Sequence, residues 1–150
     1  MSGGFLAGDD LNVTLDEPSI RGAGSFLGAG GIMAFDDSRD MIQIAHGAME
    51  FFAEESCGKC FPCRLGMEHL LEIVERIARC ESRPEDLELM RTVGESMQAG
   101  SLCGHGQLGY NPVASALKYF GAEFDAHIQD RNCPTGTCLT ARFSPRQSRR

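Results

Sequence analysis

The chain has 150 residues, 42% of them apolar and 23% charged, a balance that fits a globular protein with one core of its own, or a small core with extensions. The net charge of −7 weighs against a nucleic-acid backbone as partner, and no apolar run is long enough to cross a bilayer, so direct membrane insertion is not expected. The first ten residues hold two acids and no base, unlike a secretory leader, and an odd count of seven cysteines fits reduced thiols in a cytoplasmic setting better than a disulfide framework.

Residues 1–37 are rich in glycine and poor in helix signals. Leu11 to Leu15 alternates apolar and polar residues, and Ile32 to Phe35 is a short apolar run after Gly28-Ala29-Gly30-Gly31. Both predict short strands joined by glycine turns. Two short strands cannot close a core, so this stretch reads as the edge of something larger. The glycine run is no dinucleotide loop: no long strand precedes it and the required spacing is missing.

From Ser38 the periodicity becomes helical. Met41, Ile42, Ile44, Ala45, Ala48, Met49 and Phe52 predict a helix to Glu55. A second should start near Pro62 and bury Leu65, Leu70, Ile73, Val74 and Ile77. Ser82 with Glu85 has the form of a capping box, with Pro84 in the first turn of a third helix to about Met97. Asn111-Pro112 opens a fourth through Phe120, which Gly121 ends or bends before Ala122 to Ile128. The fold class is therefore mainly α, a four-helix bundle over 38–130 preceded by a short glycine-rich β segment and followed by a polar tail, 131–150.

The chemistry lies in Cys57-Gly58-Lys59-Cys60-Phe61-Pro62-Cys63. Three cysteines in seven residues cannot all be core positions. An iron-sulfur cubane takes one thiolate per iron, three from a tight loop and the fourth from a remote segment. Cys103, between Leu102 and Gly104-His105-Gly106, is that segment, and its flanking glycine lets the backbone come close. One 4Fe-4S cluster on Cys57, Cys60, Cys63 and Cys103 is the expectation. Structural zinc is the competing occupant, disfavoured because it usually takes two separated Cys-x2-Cys pairs. Cys80 reads as a buried small hydrophobe. His105 is either a surface loop residue or a hydrogen-bond partner of the cluster, and Lys59 and Arg64 either offset its charge or are merely solvated.

A second metal is suggested by the tail. His127, Cys133 and Cys138 are three good zinc ligands, and Pro134 and Gly136 let the intervening loop turn both thiols toward one point. A fourth ligand is not evident. Cys80 or a cysteine from a partner chain are the candidates, against a Cys133–Cys138 disulfide or idle thiols.

Glu55-Ser56-Cys57-Gly58-Lys59-Cys60-Phe61-Pro62-Cys63-Arg64-Leu65-Gly66 resembles a motif of the family of NADH-binding flavoprotein subunits, which includes that of respiratory complex I and the diaphorase subunits of NAD-linked hydrogenases and formate dehydrogenases. Ala23 to Ile32, Leu102 to Gly106, Asn111-Pro112-Val113 and Lys118-Tyr119-Phe120 match in the same order. The resemblance implies a helical cluster-binding domain after the end of a β-grasp-like domain (residues 1–37), with the four cysteines as ligands. It implies single-electron relay between a flavin and a partner's clusters, within a complex that has a flavin-bearing chain and an iron-sulfur chain. The family's glycine-rich flavin and NADH stretch is not in this sequence, so FMN and NAD(H) are expected on a missing region or partner chain, and the chain is not expected to oxidise NADH alone. Cys133-Pro134-Thr135-Gly136-Thr137-Cys138 resembles the hydrogenase and formate dehydrogenase branch. A non-redox interaction module with a structural cluster or zinc is the alternative function.

Overall fold

The computed structural model describes residues 2–137. Its chain order is a 3-10 turn over Gly8–Asn12, then α1 (Glu17–Gly22), α2 (Met41–Glu54), α3 (Phe61–Ala78), α4 (Asp86–Gly100), α5 (Gly104–Leu108) and α6 (Asn111–Ile128). The four long helices match those expected from periodicity, and none is long and apolar enough to cross a membrane.

α3 is the hub. It packs against α2 on one side and α4 on the other, α6 closes on α2, and α5 sits between α3 and α4. Ile42, Ala45, Met49 and Phe52 of α2 meet Met67, Leu70, Ile73, Val74 and Ile77 of α3 in one core, joined by Met90 and Met97 of α4 and Val113, Ala116 and Phe124 of α6. Each such side chain taken from water contributes roughly 1.5–3 kcal/mol. The bend foreseen at Gly121 falls one residue earlier: Phe120 leaves helical geometry (φ −124°, ψ 27°) and α6 then resumes.

Two expectations are corrected. The strands at 11–15 and 32–35 do not form: Leu11 and Asn12 lie in the 3-10 turn, and no strand is present among the described residues. A strand needs a neighbour for its hydrogen bonds, and none lies beside these segments. Their apolar residues stay exposed, Ile32 at 65% and Leu11 at 68%. The Ser82–Glu85 capping box is also absent. Glu85 makes no side-chain cap, and Asp86 does the work instead. Its buried carboxylate accepts the Arg83 N–H at 2.9 Å and pairs with Arg76 at 2.6 Å. Pro84 therefore stands in the turn before α4, outside the helix.

The N-terminal stretch is tied to α6. Ser115 Oγ accepts the Phe5 N–H at 2.8 Å, and Asn111 Nδ2 donates to the Ser2 carbonyl at 3.0 Å.

Candidate metal centres

The α2–α3 turn is built to present thiols. Gly58 adopts φ +73°, a left-handed value that suits glycine, and its carbonyl accepts from Arg64 Nη1 at 3.3 Å, tying the turn to the first coil of α3. Cys60 is the N-cap of α3 and Pro62 lies in its first turn. Cys63 is buried, with Ser56 Oγ 3.4 Å from its sulfur, while Cys57 is exposed. Cys103, also exposed, is the N-cap of α5.

The two cysteine segments meet. The thiol of Cys60 is held below its ordinary range, first by the N–H of Leu102, then by that of Cys63, against the opposing effect of burial. Leu102 adjoins Cys103, so the second segment lies on the first. Cys63 is pushed up, mainly by burial, with Cys60 and Cys103 adding their negative charge against the counter-effect of Ser56. Gly106 makes this approach workable: a Cβ there would stand 2.5 Å from Ser101 Cβ and 2.9 Å from Cys63 Cβ. Three thiolates that raise one another's proton affinity are a natural home for cationic iron, which holds its ligands deprotonated. The donor set and the close-packed cradle fit an iron-sulfur cluster.

His105 is half-buried and directed elsewhere. Its Nε2 lies 2.9 Å from the Phe52 carbonyl and its ring packs on the Phe52 ring at 5.1 Å. Lys59 and Arg64 are exposed. Cys80 is half-buried after α3, in a left-handed conformation (φ 57°).

Around the tail, the structure brings together two of the three residues singled out for zinc and adds one. His127 is buried at the end of α6 and Cys133 is half-buried just beyond it; Cys138 lies outside the described residues. The addition is Asp40, the buried N-cap of α2. The donor atoms of Asp40, His127 and Cys133 all lie within 4.8 Å of one another. Burial works against the Asp40 carboxylate, but hydrogen bonds from His127, Cys133 and the Gln43 N–H outweigh it and hold its pKa at about 2. Burial likewise opposes charge on His127, yet Asp40 and the Glu123 carbonyl raise it to about 9. With no metal, a proton on His127 balances the carboxylate. Asp40 was missed because an aspartate before an apolar periodic run signals a helix cap, and a sequence does not say what its second oxygen faces.

Comparison with known proteins agrees with this architecture. The NADH-ubiquinone oxidoreductase-F iron-sulfur binding region family matches residues 43–127. HndC, a subunit of the NADP-reducing hydrogenase of Solidesulfovibrio fructosivorans, is 37% identical over 91% of this chain and 28% of its own length. The second F-type subunit of the NADH-quinone oxidoreductase of Rhizobium meliloti is 39% identical over 83% of this chain and 30% of its own. A chain of the NAD+-reducing [NiFe]-hydrogenase in its H2-reduced state superposes with a TM-score of 0.74 at 34% identity, over 85% of this chain and 22% of that one. The chain thus spans under a third of the relatives it matches. With four helices, a glycine-cradled cysteine turn and this match in agreement, the chain belongs to the NADH-ubiquinone oxidoreductase-F iron-sulfur binding region family.

Proposed function

We propose that this chain is the iron-sulfur portion of an NAD(P)-linked multisubunit oxidoreductase, holding one 4Fe-4S cluster on Cys57, Cys60, Cys63 and Cys103. The contact that carries the reading is the Leu102 N–H on the Cys60 thiol, which sets the remote cysteine's segment against the three-cysteine turn. Bound there, the cluster supplies one-electron chemistry. The protein's part is to orient four thiolates, bury Cys63 and leave Cys57 and Cys103 at the surface, where a partner's centre can approach. Electrons pass between a flavin and a partner's clusters. FMN and NAD(H) belong to a region or chain outside this sequence, and residues 1–37 are the end of a β-grasp-like domain that docks on that region. The partners are a flavin-bearing chain and an iron-sulfur chain, in the cytoplasm. Likeness to HndC and to the NAD+-reducing hydrogenase, together with the Cys133–Cys138 segment, favours the hydrogenase branch. His127, Cys133 and Cys138 hold a structural zinc.

Anaerobic reconstitution tests the relay. The expected result is a brown protein that dithionite bleaches, with the EPR signal of a reduced cluster. Single Cys→Ser replacements at 57, 60, 63 or 103 should abolish or convert the cluster, and Cys80→Ser should not. Full cluster content in Cys103→Ser would remove that ligand from the assignment. A colourless, zinc-loaded cysteine turn would replace the relay with a non-redox interaction module.

A further inference from the structure

The two oxygens of Asp40 have separate partners. Oδ1 accepts the N–H groups of Ile42 at 2.9 Å and Gln43 at 3.1 Å, capping α2. Oδ2 points the other way, 3.3 Å from His127 Nε2 and 3.2 Å from Cys133 Sγ. Those are ligand-to-ligand distances. A tetrahedral zinc ion with bonds of about 2.0–2.3 Å separates neighbouring donors by about 3.3–3.8 Å.

The surroundings agree. The Asp40 and His127 side chains are wholly buried, where an ionised group needs a counter-charge. His127 Nδ1 lies 2.8 Å from the Glu123 carbonyl, and that hydrogen bond fixes the ring with Nε2 turned inward. Metal-bound histidines are oriented in this way by an outer partner, and ligating carboxylates are themselves hydrogen-bonded. The residues after α6 fold back over the same place: Thr135 Oγ1 is 3.4 Å from Asp40 Oδ2, and the Gln43 amide donates to the Thr137 carbonyl.

We propose that Asp40 is a metal ligand, binding one Zn2+ together with His127 and Cys133 and so fastening the segment after α6 to the first turn of α2. The inference rests on the zinc reading above and changes its donor set. A carboxylate from the start of the bundle takes a place for which the sequence offered only Cys80 or a partner's cysteine. Zinc has no redox chemistry, so its work here is mechanical, closing the α2–α6 end of the domain while the cysteine turn at the α2–α3 end carries electrons.

The test uses the full chain with its iron-sulfur cluster reconstituted, purified without chelators. Wild type should contain about one zinc per chain besides iron, and its cobalt-substituted form should show thiolate-to-cobalt charge transfer and tetrahedral d–d bands. Asp40→Asn keeps the helix cap, since asparagine caps as well as aspartate, but loses the anionic ligand. Its zinc affinity should fall by more than the roughly 10–100-fold that loss of an outer-shell partner costs, with helix content and cluster absorbance unchanged. Asp40→Cys, which adds a thiolate at the same place, should strengthen the cobalt charge-transfer band. A wild-type protein with neither zinc nor cobalt bands would overturn the zinc reading and this inference with it. Zinc held equally by wild type and Asp40→Asn, or an unchanged charge-transfer band in Asp40→Cys, would overturn Asp40 as ligand and leave the zinc reading standing.

Discussion

Gly106→Ala probes whether the two cysteine segments depend on one close contact. The added Cβ would stand 2.5 Å from both Cβ and Oγ of Ser101 and 2.9 Å from Cys63 Cβ. Non-bonded carbons settle at about 3.5–4.0 Å, so roughly 1 Å of movement is required. Neither neighbour can swing away, because each close carbon is a Cβ fixed to its backbone. The 101–103 turn must therefore lift from α3, at a cost of about 1–3 kcal/mol. That movement also shifts Cys103 from Cys63, and a cluster tolerates only a narrow spread of thiolate positions. Gly104→Ala is the control. It lies closer in sequence to Cys103, yet its Cβ would meet nothing nearer than Leu108 Cδ1 at 4.0 Å, and alanine suits a helix better than glycine by up to about 1 kcal/mol. Urea unfolding of the apo-protein and iron content after anaerobic reconstitution are the assays. Gly106→Ala should lose stability and cluster yield, and Gly104→Ala should lose neither. If both variants behave alike, close packing at Gly106 does not position the ligands.

Asp86→Ala should cost about 3 kcal/mol or more at neutral pH, because it leaves Arg76 and the Arg83 N–H without their shared carboxylate. Burial opposes the Asp86 charge, but the Arg76 hydrogen bond and the Arg83 N–H outweigh it and hold its pKa below the ordinary 3.8. The pair's contribution is thus full above about pH 4 and drains away as pH falls below it, so wild type and Asp86→Ala should converge in urea midpoint on acidification; a constant gap from pH 7 to pH 3 would contradict this. His105→Ala should lose about 1 kcal/mol with its bond to the Phe52 carbonyl but keep full iron content; lost iron would give His105 a direct part in holding the cluster. Gly94→Ala should destabilise the apo-protein by about 1–3 kcal/mol, since its Cβ would fall 2.3 Å from the Tyr110 ring, and thermal unfolding reads this directly.

Much of the molecule was legible without coordinates because its signals are local. The spacing of Met41, Ala45, Ala48, Met49 and Phe52, or of Leu70, Ile73, Val74 and Ile77, defines a face whose burial needs no knowledge of the partner helix. Three cysteines in seven residues announce metal chemistry by density alone, and Asn111-Pro112 with Gly121 marks a helix start and a bend. The failures share one cause. Strands at 11–15 and 32–35 depend on hydrogen bonds to a neighbour, and alternation does not say whether one is present. The capping box was displaced by Asp86, whose long-range partner Arg76 lies in the preceding helix.

The sequence by itself determined the helices, the cysteines of the candidate cluster site and the presence of histidine and cysteine near the tail, since each follows from residue type and spacing along the chain. Only the tertiary structure decided that Leu102 reaches Cys60, that Gly106 must lack a side chain, that His105 turns to Phe52, and that Asp40 meets His127 and Cys133. These are contacts between residues far apart in sequence. They exist only once α3 has packed between α2 and α4 and α6 has closed on α2, because packing rather than spacing sets where a carboxylate's second oxygen points.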